Sequence, residues 1–144
     1  MDELRQMVEG LSLEKLIGNP RFKLDEMTER EFAALPTLLD IDNPHVHVKS
    51  DISDWRIMVL TDEVDRKVLH IFLVGYIEKN GRLIGSATSN IRGVTGDLIA
   101  TSNSLYRLLN KAEGEMDVDQ ALHLCCAMNR WGWGRTLMLP QIHY

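Results

Sequence analysis

The dipeptide Asn80-Gly81, set between Ile77 and Leu83, constrains this chain more than any other feature of it. A two-residue type I′ turn needs positive φ at both central positions, and asparagine followed by glycine tolerates that best. The turn predicts a β-hairpin whose register places Ile77 opposite Ile84, Gly75 opposite Ser86 and Val74 opposite Ala87, bulky residues on one strand meeting small ones on the other. An antiparallel sheet follows. Strand-type patterning runs from Val46 to Leu109, with Trp55 to Leu60 and Val68 to Ile77 as its two central strands because both faces carry apolar, β-branched or aromatic residues. Gly96-Asp97 predicts a second tight hairpin of type II′, pairing Val94 with Ile99 and Gly93 with Ala100. Ser104 to Leu109 reads as a further strand. The glycines and small residues between Gly85 and Gly96 predict bulges or a functional loop in that stretch.

Helical patterning flanks the sheet. Residues 2–9 and 12–17 read as short helices separated by Gly10, with Ser12 as N-cap and Gly18-Asn19-Pro20 as the stop. Thr28 and Glu31 form a capping box that starts a third helix at Glu29, which Pro36 shortens. Asp40-Ile41-Asp42-Asn43-Pro44 gathers turn formers where helical periodicity gives way to strand periodicity. Asp117, with Gln120 three residues on, is placed to cap a helix over Val118 to Asn129 whose apolar face is Ala121, Leu122, Cys125 and Met128. Trp131-Gly132-Trp133-Gly134 breaks that helix, and Thr136 to Leu139 reads as a short edge strand before Pro140. The expected fold is α+β: an antiparallel sheet of four to six strands with N-terminal helices and one C-terminal helix packed on it. A length of 144 residues suits a single domain over 1–144, divided into a helical segment (1–44), the sheet (45–110) and a helix with a C-terminal tail (117–144).

Charge narrows the range of partners. Residues 1–66 hold eight basic and fifteen acidic side chains, whereas residues 67–144 hold eight and six, so a net −7 lies upstream of a net +2. No basic stripe is present to neutralise a phosphate backbone, which argues against direct nucleic-acid binding and favours either a solvated acidic face or one that steers toward a basic protein surface. The longest apolar run, Val68 to Ile77, is interrupted by His70 and is too short to span a bilayer, so no membrane association is expected. The N-terminus lacks the basic and apolar regions of a secretory signal, and the two cysteines, Cys125 and Cys126, are adjacent and poorly placed to bridge. Both read as thiols in a reducing cytoplasm.

No reactive constellation is evident, and no cofactor is expected. His45 and His47 alternate along a strand and so project to one face as metal ligands would, with His70, His123 and Cys125 as candidates to complete a set. Val46 and Val48 alternate with them as in any half-buried strand, and no HExxH or CxxC spacing supports a metal. Cys125 and Cys126 fall within a helix, away from the N-terminal dipole that would favour a thiolate, and His123 lies on a different side of the helix from Cys125. The serines and threonines of 86–90 and 101–104 lack a GxSxG elbow and fit local side-chain to backbone bonding. Neither GxxxxGK[ST] nor GxGxxG occurs.

Trp131 and Trp133 are the strongest candidates for contact with a partner protein, because two large rings separated by glycine can serve as rigid anchors, although they can equally plug the core. Arg130 and Arg135 flank them, able to pair with acids or to stack on the rings, and Tyr144 with Ile142 extends the same apolar end.

The stretch from Ala87 to Leu108, ATSNIRGVTGDLIATSNSLYRL, resembles a strand-turn-strand pattern of uncharacterised small proteins of bacteriophages and prophages. Its marks are Thr88-Ser89, Ile91, the central turn, Thr101, Asn103-Ser104, Tyr106 and Leu108. The resemblance implies a mobile-element origin, a bacterial host's cytoplasm, and a host protein or protein complex as partner, including CRISPR effectors. The resulting expectation is a non-enzymatic accessory protein that inhibits a host defence complex by steric occlusion. Two alternatives stand beside it: a small metal-dependent hydrolase or nuclease using His45, His47 or His70 with Asp51 or Asp54, and a homo-oligomeric accessory protein, a homodimer in its simplest form.

Overall fold

The computed structural model describes residues 17–36, 48–88, 90–101, 104–114, 116 and 118–139. The expected helices at 2–9 and 12–17 therefore fall almost wholly outside the described residues, as do the turn formers at 40–44 and the chain end from Pro140.

Strand formation begins earlier than the sequence pattern suggests. Phe22–Glu26 forms β1, which pairs antiparallel with the second half of a long strand, β2 (Val48–Asp62), so the segment read as helical up to residue 44 contributes a strand to the sheet. The strand is short. Alternation over only five residues is a weak local signal, and Leu24 is held by burial against Met58 and Leu60 in the tertiary core. Next comes α1 (Glu29–Ala33), which starts as expected: Thr28 Oγ1 accepts from Glu31 N–H and Glu31 Oε1 accepts from Thr28 N–H, each at 3.1 Å. It ends before Pro36.

The hairpin at Asn80-Gly81 joins β3 (Lys67–Lys79) to β4 (Arg82–Ala87) in the expected register, with φ of 55° and 77° at the two turn residues. Gly96 has φ 57° and joins β5 (Ile91–Thr95) to β6 (Leu98–Thr101), with Val94 opposite Ile99 and Gly93 opposite Ala100. The last strand is β7 (Leu105–Leu108). Among the described residues the sheet has seven strands in the order β4-β3-β2-β7-β6-β5, with β1 alongside β2. It is mixed. β7 lies parallel to the first half of β2, which corrects the expectation of an all-antiparallel sheet of four to six strands. From β2 to β7 the chain reverses four times, at β2/β3, β3/β4, β5/β6 and β6/β7, and an even number of reversals leaves β7 parallel to β2.

The two ends of this order, β4 and β5, are consecutive in the chain. Between them Thr88 N–H donates to Leu73 O at 2.9 Å, and Asn90 Oδ1 accepts from Ile71 N–H, so the connection follows β3 and the sheet curls on itself. The small-residue stretch read as irregular is this bend. Curling gives two cores and explains why both faces of β2 are buried. Ile52, Ile57, Val59, Leu73, Ile91, Ile99, Tyr106 and Leu108 pack on one face. Met58, Leu60, Phe72 and Val74 occupy the other, where α2 (Val118–Arg130) covers them with Leu124, Cys125 and Met128. Leu122 and Leu124 are both buried, so the covered stripe of α2 is wider than the expected face.

Two close contacts fix α2 on the sheet. Arg56, only 3% exposed, donates to Glu26 Oε2 at 3.0 Å, to the carbonyls of Glu113 and Gly114, and to Gln120 Oε1, tying β1 and the segment before α2 to β2. At Gly85 the His123 ring of α2 lies so close that a Cβ there would overlap it. Beyond α2, Gly134–Leu137 forms a single helical turn, α3, with Leu137 N–H donating to Trp133 O. The edge strand expected over Thr136 to Leu139 is thus replaced by a turn, whose buried Leu137 and Leu139 join the α2 core together with Ile17.

Candidate functional site: the aromatic rim at the end of the C-terminal helix

How α2 ends determines where its two tryptophans go. Gly132, at φ 90°, takes the left-handed position after the helix; its N–H donates to Asn129 O, and Trp133 N–H donates to Met128 O at 2.9 Å. This is the paired hydrogen-bond pattern of a Schellman motif, in which the residue after the glycine folds back on the helix. Trp133 follows that rule and packs, half-buried, against the core that contains Met128. Trp131, one residue before the glycine, stays on the rim.

Its indole remains 36% exposed, yet its position is fixed. Trp131 lies nearly parallel to Phe72, with centroids 5.3 Å apart and planes at 13°, and to His70 at 6.2 Å and 12°. His70 in turn stacks on Phe72 at 4.5 Å and meets Trp133 edge-on at 6.5 Å. Phe72 is fully buried. The rim is therefore one indole face presented to solvent over an ordered stack of aromatic rings, an arrangement that loses little conformational freedom when a partner covers it. Burial holds the His70 imidazole below its ordinary pKa, and its Nε2 has no hydrogen-bond partner among the described residues. A neutral ring suits this stack.

The remaining expected contact residues are only partly gathered. Arg130 and Arg135 are exposed beside the rim, but the cations over aromatic rings among the described residues are Arg21 on Phe22 and Lys111 on Trp55. Tyr144 lies outside the described residues. His70 and Phe72 were not legible as contact residues, since they reach Trp131 only through the packing of α2 on β3.

Among the described residues, no metal candidates are brought together. His45 and His47 lie outside the described residues, and no group of three His, Cys, Asp or Glu side chains suited to an ion occurs among those described. His70 belongs to the aromatic stack, His123 covers Gly85, and Cys125 is buried against Met128. Burial, reinforced by neighbouring Cys126, pushes the Cys125 thiol up to about 11, the direction that suppresses a thiolate nucleophile. Asp51 faces Arg107 at 3.6 Å, while Asp54 accepts from Asn110 Nδ2 at 2.6 Å in the bulge of β2. Thr101 Oγ1 donates to Ser104 O and accepts from Ser104 N–H, the local side-chain to backbone role expected in this stretch.

Two shallow hollows open elsewhere. One, of about 330 Å³, lies on the sheet around Tyr76 and Leu83; the other, of about 580 Å³, lies between Glu26–Glu29 and Lys111–Gly114. Comparison of the chain with protein-family models, with curated proteins and with solved structures returns no match. No helix among the described residues is long and apolar enough to cross a membrane.

Proposed function

We propose that this chain is a non-enzymatic binding protein that occludes a surface of a host protein complex, with Trp131 as its central anchor. The exposed indole stacked on buried Phe72 carries this reading, because a pre-ordered aromatic ring is the type of residue on which interface energy concentrates. Arg130 and Arg135 provide polar neighbours at its edge. The acidic upstream part of the chain accelerates encounter with a basic surface and suppresses contact with nucleic acid. The resemblance of residues 87–108 to small phage and prophage proteins supports a bacterial defence complex, such as a CRISPR effector, as the partner and the bacterial cytoplasm as the setting.

The test is capture from a bacterial lysate with the wild-type chain and with Trp131→Ala, followed by target-cleavage assays on any effector complex retained. Wild-type capture, inhibition of cleavage, and at least a tenfold loss of both in the variant are expected. Equal capture by the two chains would remove Trp131 as the anchor, and catalytic turnover of any captured component would overturn the non-enzymatic reading.

A further inference from the structure

Among the described residues, part of the sheet face that α2 covers is left open beyond the end of the helix that carries Gln120 and His123. Strand alternation puts Tyr76 and Glu78 of β3 on the same side as Val74, which is buried under α2, and Leu83 of β4 lies opposite Glu78. Ser53 of β2 pairs with Tyr76. These residues line the hollow of about 330 Å³, and Leu83 and Leu109 bound it with 68% and 54% of their surfaces exposed. Two large aliphatic side chains thus adjoin one depression whose other lining residues are polar.

Charge selects the occupant. Asp51 and Glu78 line the same hollow, and no cationic residue is among its described lining residues. Asp51 has only the loose, half-exposed contact with Arg107, and Glu78 forms no ion pair among the described residues. An apolar partner would leave both carboxylates desolvated, whereas an acidic one would be repelled. A long basic side chain satisfies both parts, since its methylene stem covers leucine while its head meets carboxylate. Between the two basic residues, a planar guanidinium can also lie against an aromatic ring and bond two carboxylates through one fork, and Tyr76 supplies the ring here.

We propose that this sheet hollow is a second docking point that receives an arginine side chain of the partner protein, separate from the Trp131 rim. The proposal rests on the reading of the chain as a protein-binding molecule, and it makes that partner's contacting surface arginine-bearing. The probe is the peptide acetyl-Ala-Arg-Ala-amide, titrated into ¹⁵N-labelled protein, with its citrulline counterpart as an uncharged control of similar shape. Saturable shifts at Ser53, Tyr76, Glu78 and Leu83 are expected, at millimolar affinity for a single side chain. They should weaken at least fivefold in Asp51→Asn/Glu78→Gln and persist in Trp131→Ala. An equal response to citrulline, an equal response at the distant acids Glu29 and Glu63, or no response at these four residues would each overturn the proposal. Because the readout uses neither Trp131 nor the captured complex, its failure is distinguishable from failure of the occlusion reading.

Discussion

The Trp131 indole lies on the Phe72 ring at 5.3 Å and 13°, so the exposed tryptophan just after α2 rests on one of the most deeply buried residues of β3. The two rings have unequal structural roles. Phe72→Ala empties a closed site and is expected to cost about 3–5 kcal/mol. Trp131→Ala gives up its stacking on Phe72 and His70 and part of its covered area, about 1–2 kcal/mol, and leaves the chain folded. Urea unfolding of both variants checks the ranking; equal losses would make Trp131 a core residue instead of an anchor.

His70 gives stability a dependence on mild acid. Burial lowers its folded pKa beneath the unfolded value of 6.5, so the unfolded chain binds the proton more readily in that window. The contribution is complete above the unfolded pKa and is lost as pH falls through it toward the folded one. Urea midpoints between pH 5 and pH 7.5 should fall on acidification, and His70→Phe should flatten that slope relative to wild type. An NMR titration of His70 with a midpoint at or above 6.5 would contradict the assignment.

Asp62 acts at lower pH. The Arg21 guanidinium, bonded at 2.9–3.2 Å, holds its carboxyl down to about 2, helped by the backbone N–H groups of Asp65 and Val64 and opposed by burial. A depressed carboxylate stabilises the fold above its unfolded pKa of 3.8 and loses that contribution as pH falls through the folded value. Asp62→Asn should therefore remove part of the acid-unfolding limb between pH 4 and pH 2 while changing little of the pH dependence between 5 and 7. Arg21→Met should move the Asp62 carboxyl upward in an NMR titration.

Gly85 and His123 should behave as a coupled pair. Gly85→Ala drives a methyl group into the imidazole and is expected to destabilise by about 1–3 kcal/mol. His123→Ala opens the space, and the double variant should recover most of the loss caused by Gly85→Ala. Additive losses in a double-mutant cycle would show that α2 does not rest on β4 at this point.

Local chemistry made several elements legible from the sequence. Asn80-Gly81 and Gly96-Asp97 specify their turns through the φ values they tolerate, and each turn sets its strand register. Thr28 and Glu31 mark the start of α1 by bonding to each other's backbone, and Gly132 marks the end of α2. In each case the deciding interactions lie within a few residues. The parallel pairing of β2 with β7, the β1 strand and the turn at Gly134–Leu137 depend instead on contacts between segments far apart in the chain, which no window of sequence contains. The candidate sites follow the same division. That Trp131 and Trp133 part company follows from one glycine, but the rings beneath Trp131 and the leucines and carboxylates of the open hollow come together only because the sheet curls and α2 covers part of one face. Tertiary packing chose which apolar side chains the surrounding structure would cover and which it would leave to solvent.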